Sequence, residues 1–423
     1  MNCHLCKIIV PIIVIFIALL YIGSRFLPPL APTHLTIATG PKSGIYYQSA
    51  EAYKTLLAEQ HIDVEIVPTK GSVEALKLLE AKKVDIAFVQ GGSADAFKDE
   101  PFTSLASLYN EPVWVYYPAA KSELTYLSEL RGKRIVVGAE GSGTKVLAIT
   151  LLAANGVTPD NSTFLSLGSE AGAQALFDGE ADAMFSIIGT FAPLTKFLLL
   201  DPDIKLMDFT RARAYTVRYP FLNAVTLDEG VMDLENNLPS ASKHLIAATA
   251  TLVSRDDIHP DLVRLVLQAA KTVHGGAGIF RKAGEFPSMN KLEFPINVNA
   301  EVYLTDGETW LEKIFPFWIA SIVKRLMLLL IPVIAIMIPL VKLVLPLADW
   351  RSRSKIYRWY RTLNRIEEEM GSYDDPQRLA AVTTIETALR KIQKIDVPLS
   401  YRREYYDLIQ HFELILGKLR ATD

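Results

Sequence analysis

The sequence predicts an α/β chain: two similar lobes of parallel sheet and helix, flanked by two transmembrane helices and followed by a C-terminal helical tail. Three observations predict it. Two apolar runs, residues 8–22 (IIVPIIVIFIALLYI) and 326–347 (LMLLLIPVIAIMIPLVKLVLPL), bracket the middle of the 423-residue chain. Between them, short apolar runs alternate with amphipathic segments, the pattern of a sheet covered on both faces. That pattern then occurs a second time. The predicted divisions are an N-terminal anchor at 1–30, an extracytoplasmic domain at 31–322, a transmembrane helix at 323–348 and a cytoplasmic tail at 349–423. Within the domain, residues 31–117 and 213–322 form the first lobe and 118–212 the second.

A bilayer core needs roughly 20 apolar residues in a helix. The second run meets that length if Lys342 snorkels, and a transmembrane helix tolerates Pro332, Pro339 and Pro346. The first run is shorter and spans only by continuing past Arg25 toward Leu30. A cleaved signal peptide is its competing reading, because Lys7 precedes it. No small-x-small cleavage site stands out near Ala31, so an uncleaved anchor is expected. Arg351, Arg353, Lys355, Arg358, Arg361 and Arg365 follow the second run and place that side in the cytoplasm; Lys324 and Arg325 on the other flank argue weakly against it. With Lys7 also inside, the chain is expected to be a multi-pass protein of the bacterial inner membrane, its termini cytoplasmic and its middle domain periplasmic or extracellular.

The net charge of −3 points to no nucleic-acid partner. Cys3 and Cys6 are the only cysteines, so the exported domain has no disulfide and no thiol chemistry; a zinc reading of Cys3-His4-Leu5-Cys6 lacks a second ligand pair. His244, His259 and His274 show no acid–base or metal spacing, so no enzyme, metal or cofactor is expected.

The elements follow in order. LTIAT (35–39) is a strand, 45–60 a helix, VEIVP (64–68) a strand, 72–82 a helix and VDIAFV (84–89) a buried strand. The second set is RIVVG (134–138), a helix at 145–155, STFLSL (162–167), a helix at 171–178 and ADAMFSI (181–187). Setting Gly71-Ser72 against Gly168-Ser169, a shift of 97 residues, aligns Leu79 with Leu176, Asp85 with Asp182, Phe88 with Phe185 and Gly92 with Gly189. Gly40 and Ser43-Gly44 pair with Gly138 and Ser142-Gly143 at shifts of 98 and 99. SLASLYNEPVWVYYP (104–118) reads as an extended crossover between the lobes, with a second crossing near 210–222. Strands at 224–230 and 244–254 and a helix at 260–270 complete the first lobe. Two crossings beside a cleft is the plan of a periplasmic binding protein, which closes on its ligand by hinge motion.

Four turns are expected to face that cleft: 40–47 (GPKSGIYY), 90–93 (QGGS), 138–145 (GAEGSGTK) and 186–191 (SIIGTF). Each follows a strand's carboxyl end and opens a helix, where open α/β sheets bind ligands and where backbone N–H groups favour anions. Ser43, Ser142 and Thr144 can cap their helices or donate to a carboxylate; Ser186 opens the fourth turn. Tyr46 and Tyr47 can wall the site, and Lys42, Lys145, Arg211, Arg213 or Arg218 can neutralise charge. Asp85 and Asp182 open buried strands, where a carboxylate most often caps nearby backbone. A P-loop is rejected: the order Gly143-Thr144-Lys145 does not end in Gly-Lys-Ser/Thr.

GPKSGIYY after an IAT strand, then KGSVEALKLLEAKKVDIAFVQ, LRGKRIVVGAEGSGT and DGEADAMF, resemble the solute receptors of TRAP transporters of the TAXI type, over roughly residues 34–313. The resemblance implies a type II periplasmic-binding-protein fold and capture of a small organic anion: a dicarboxylate, a keto acid or an acidic amino acid. Carried over, it points to Gly44, Tyr46 and Tyr47, to Gln90 with Gly91 beside it, and to Gly141, Ser142, Gly143 and Thr144. It implies a TRAP-type permease as partner. The two membrane segments and the tail depart from the family pattern. They leave a second reading, in which the chain is a ligand sensor that relays cleft closure to the cytoplasm.

The tail is expected to hold three helices, 354–370, 376–395 and 401–419, with Leu379, Val382, Ile385, Leu389 and Ile392 as one apolar stripe and Leu408, Phe412 and Ile415 as another. It reads as a small bundle or docking platform for a cytoplasmic protein, its basic aromatic start lying at anionic headgroups.

Overall fold

A computed structural model describes residues 3–25, 27, 32–190, 192–315, 317–395, 397 and 401–421. Predicted readings at residues 28–31, at Phe191 in the fourth turn and at residues 398–400 before the last helix lie outside the described residues. The chain separates into two compact units, residues 30–321 and residues 1–29 with 322–423.

In chain order the elements open with α1 (Cys3–Ser24), β1 (His34–Ala38), α2 (Ile45–Ala58), β2 (Asp63–Val67), α3 (Ser72–Glu80) and β3 (Ile86–Gln90). Then come β4 (Phe102–Pro112), β5 (Trp114–Pro118), β6 (Arg134–Val136), α4 (Gly143–Ala154), β7 (Thr163–Leu165), α5 (Ser169–Phe177) and β8 (Ala183–Ser186). The domain finishes with α6 (Pro193–Leu200), β9 (Ile204–Leu206), α7 (Ala212–Arg218), β10 (Asn223–Leu227), β11 (Lys243–Arg255), α8 (Pro260–His274), α9 (Val298–Asp306) and α10 (Trp310–Ile314). Last are α11 (Phe317–Glu369), α12 (Asp375–Ile392) and α13 (Arg402–Arg420).

The larger unit holds two sheets. One runs β10-β11-β3-β1-β2, with β4 on β11; the other runs β7-β6-β8-β5-β9. The internal duplication is present in the register. β1 lies parallel between β2 and β3, and β6 lies parallel between β7 and β8. Ile37 faces Ile86 in the first sheet, and Ile135 faces Ala183 in the second. Every residue of β3 and of β8 is buried, as strands covered by helices on both faces require.

One expectation changes. Residues 104–118 are not one crossover strand: β4 stays in the first sheet, β5 joins the second, and the chain passes between them at Val113, whose N–H donates to Ile246 O at 2.8 Å. The second crossing falls near residues 210–222, between β9 in the second sheet and β10 in the first; α7 fills most of that stretch, and Tyr215 packs its ring edge-on against Phe209. The pairing of β4 with β11 runs from Phe102 to Pro112, so β4 is held in the first sheet up to the point where the chain leaves for the second.

In the smaller unit, α11 is one helix of 53 residues that continues through Pro332, Pro339 and Pro346, so the helix expected to begin at 354 is its continuation. Among the described residues one segment, Phe317–Pro339, is long and apolar enough to cross a membrane; Ile12–Ser24 is a shorter apolar helix. The segment starts earlier than the expected 323–348 and includes Lys324 and Arg325. The last part of α11 packs with α12 and α13 through Ile356, Leu363, Ile366, Ile385, Ile392, Leu408, Phe412 and Ile415. The stripe on α12 is rotated from the expected one: Leu379 is 70% exposed, and Ala381 and Ala388 are buried in its place. Asp374 and Gln377 form a reciprocal capping box that starts α12.

Candidate functional site

The predicted turns do meet. Gly71 has a φ of +144°, and a Cβ there would stand 2.8 Å from Ser142 Cα. A Cβ on Gly143 would come within 3.0 Å of Gln90 Cβ and 3.1 Å of Ser72 Oγ. A Cβ on Gly189 would collide with Ile45 Cδ1, and one on Gly92 would press on Phe221 at 3.1 Å. Loops at the carboxyl ends of both sheets therefore touch across the cleft, and glycine is what lets them approach.

The first turn opens α2 with Gly44, whose N–H donates to Pro41 O. Lys42 and Ser43 are exposed. Tyr46 stacks on Phe88 with ring centroids 5.4 Å apart, and its hydroxyl donates to Glu111 Oε2 at 2.7 Å. Tyr47 turns to Glu51 on its own helix, and that hydrogen bond raises its pKa.

The turn after β3 is well satisfied on its backbone. Gln90 N–H donates to Ser72 Oγ at 2.9 Å, Gly91 N–H to Thr249 O at 3.0 Å and Gly92 N–H to Glu293 Oε2 at 2.6 Å. Glu293 stands where an anionic ligand was expected. Burial pushes its carboxyl up to about 7, although hydrogen bonds from Gly92 and Ser93 pull the other way. The side chains are less satisfied: Gln90 Nε2 and Ser93 Oγ are buried without a partner.

In the second lobe the structure assigns the polar side chains to the fold. Ser142 Oγ accepts from Lys145 N–H at 3.2 Å and donates to Ala139 O at 2.6 Å, so it caps α4. Gly138 and Gly141 have φ of +104° and +79°, which the turn requires; Gly138 also lies under Thr144. Lys145 Nζ pairs with Glu140 and reaches Ser166 Oγ at 2.9 Å. Ser186 is buried, its hydroxyl 3.3 Å from that of Ser169. Arg211 stacks over Tyr126 and Arg218 over Tyr219. Asp85 and Asp182 are caps, as expected: Asp85 receives Thr36 N–H at 2.8 Å and Asp182 receives Arg134 N–H at 2.8 Å.

Glu111 and Glu293 were not singled out in the sequence. Glu111 carried a signal, as the lone acid in the otherwise uncharged stretch 104–118. Glu293 carried none, because 200 residues of chain separate it from the turn that it caps.

A sequence model described as the NMT1-like family matches residues 37–305, well over half of the chain. Among solved structures, the chain is similar to the periplasmic aliphatic sulphonate binding protein SsuA from Escherichia coli, at 13% identity and a TM-score of 0.38, covering 58% of this chain and 70% of that one. The alkanesulfonate-binding protein SsuA from Xanthomonas axonopodis pv. citri, bound to MOPS, matches at 17% identity and 0.38, over 58% and 74%. The amino acid ABC transporter substrate-binding protein AbpA from Streptococcus pneumoniae, bound to L-arginine, matches at 16% identity and 0.37, over 57% and 89%.

Proposed function

Because this chain belongs to the NMT1-like family, we propose that it is an extracytoplasmic solute receptor that closes two lobes on a small organic acid. The observation that carries this reading is the meeting of loops from matching edges of two sheets, Gly71 on Ser142 and Gly143 on Gln90, beside the crossing at Val113 between them. Such a cleft is where open α/β sheets place a ligand. Backbone N–H groups at the start of α2 and α4 suit a carboxylate or sulfonate oxygen. The site residues under this reading are Gly44, Tyr46, Gln90, Gly91, Gly141, Gly143 and Thr144.

The apolar start of α11 (Phe317–Pro339) is the membrane anchor of this receptor, and the basic residues after it favour a cytoplasmic C-terminal bundle. A TRAP-type permease as partner rests on the sequence resemblance. The alternative, a sensor, is favoured by one feature: α11 is a single helix that joins the apolar segment to the C-terminal bundle.

The test is a thermal-shift screen of the full chain in detergent against dicarboxylates, keto acids, amino acids and sulfonates. A ligand that binds only the folded state raises the midpoint with concentration, by about 2.7 kcal/mol of stability at one hundred times its Kd. A flat response across all four classes contradicts the reading. For topology, a membrane-impermeant thiol reagent reports on Cys3 and Cys6, the only thiols. Protection in sealed cells with labelling after permeabilisation is expected if α1 also spans, and labelling in sealed cells contradicts a cytoplasmic N-terminus.

A further inference from the structure

We infer that Glu111 contacts the solute directly and accepts a hydrogen bond from a protonated amine on it. The inference rests on the solute-receptor reading and names what the ligand must carry besides its acid group.

Glu111 ends β4, opposite Ala248 on β11 and beside the crossing at Val113. That is the edge of the sheet from which the turn after β3 also leaves: Gly91 N–H bonds to Thr249 O, one residue along β11. The carboxyl is therefore placed at the cleft end of the first lobe and at its hinge. Tyr46 Oη holds one oxygen, Oε2, at 2.7 Å. The second oxygen has no hydrogen-bond partner among the described residues, and the residue keeps part of its surface open. No lysine, arginine or histidine pairs with Glu111 among the described residues, and Lys145, one of the five expected charge partners of the ligand, is bound to Glu140.

A carboxylate out of water needs a counter-charge. Here burial pushes Glu111 up to about 8, and the Tyr46 hydrogen bond offsets only part of that. The groups that face it do not titrate across the neutral range. Burial raises the hydroxyls of Tyr46 on α2 and Tyr109 on β4 well above 10, and burial lowers His274 on α8 to about 3. Arg281 acts on Tyr109 and His274. An ammonium from the solute supplies what the fold withholds. When it docks, the Glu111 proton leaves for solvent and the carboxylate accepts from the amine N–H, so charge and protons balance.

The experiment uses the full chain in detergent and calorimetric titration of matched solutes that differ in one group: L-glutamate against 2-hydroxyglutarate, and L-alanine against lactate. The amine member of the pair that binds is expected to bind at least tenfold tighter. Its binding at pH 7 is expected to release close to one proton, read from two buffers of different ionisation enthalpy. Glu111→Gln is expected to cost the amine solute tenfold or more and to leave the hydroxyl analogue within threefold. If that variant does not fold, Tyr46→Phe serves: loss of its donor raises Glu111 further, so affinity for the amine at pH 7 falls and recovers toward pH 9. Equal affinity for both members, or unchanged amine affinity in both variants, overturns the assignment to Glu111 and leaves the solute receptor standing. Binding of neither amine nor hydroxyl solute, together with a flat screen, removes both.

Discussion

Asp85 and Asp182 hold equivalent places in the two lobes: each carboxylate receives, at 2.8 Å, the backbone N–H of a residue in the first parallel strand of its lobe, Thr36 of β1 in one and Arg134 of β6 in the other. The partners differ. Thr36 adds its hydroxyl to Asp85 at 2.7 Å and Arg255 stands 3.7 Å away, while Asp182 gathers the side chains of Arg134 and Lys121.

Arg134 and Lys121 give Asp182 a pH signature. Burial works against its charge, but the bonds from Arg134 and Lys121 outweigh it and hold the carboxyl well below the usual carboxylate range. A depressed acid contributes stability that is present above its unfolded pKa, about 4, and is lost as pH falls through the folded value. Asp182→Ala is expected to destabilise by about 1.5–3 kcal/mol at pH 7, the range for hydrogen bonds to a charged group. In urea melts the penalty is expected to shrink toward pH 3. A penalty that grows on acidification contradicts this account.

Ser142→Ala is expected to cost about 1 kcal/mol through loss of the α4 cap, and Ser142→Gly only a few tenths. Urea midpoints of the two variants check it. If the hydroxyl instead serves mainly the solute, both variants lose binding alike and neither loses stability.

Gly143→Ala leaves α4 free to form, because Gly143 has an ordinary helical backbone, yet the new methyl meets Gln90 Cβ at 3.0 Å. It is expected to hold the lobes apart. The melting midpoint without ligand should change by under about 1 kcal/mol in stability, the size of Gly-to-Ala effects in helices, while the ligand-induced shift falls several-fold. An unchanged shift places the binding surface elsewhere.

Glu293 is raised to about 7. The sign is opposite to that of Asp182: stability is fullest below about pH 4.3 and declines as pH rises through 7. Glu293→Gln keeps an acceptor for Gly92 N–H and cannot ionise. Its stability is expected to fall less between pH 5 and 8 than that of the parent, by on the order of 2–3 kcal/mol, the slope that remains coming from Glu111. Parallel curves for the two proteins contradict it.

Much of the fold was legible in local pattern. Buried strands such as β3 carry unbroken apolar runs, here residues 86–89, and the repeat at 97 residues reappears as the shared β1 and β6 registers. The hinge was harder. Residues 104–118 are mostly apolar on both sides of Val113, so periodicity alone cannot mark that the chain changes sheets there. Gly143 lies in a turn whose glycines mark close approach, which the structure shows against Gln90, whereas Gly71 entered only as an anchor of the repeat. Serine and lysine were not legible, since a cap and a ligand contact use the same hydroxyl: Ser142 serves α4, and Lys145 goes to Glu140. Glu293 became visible only through a contact between distant parts of the chain.

The central claim is a hinged pair of lobes that a solute draws together, and a distance measurement tests it most directly. Cys3 and Cys6 are replaced by serine, and spin labels are placed at Glu80 and Glu180, exposed residues of the first and second lobe. Pulsed electron spin resonance then reads their separation with and without the solute that most raises the melting midpoint. The account predicts a long or broad distribution that becomes single and shorter on binding. One unchanged distribution, at saturating solute, contradicts it.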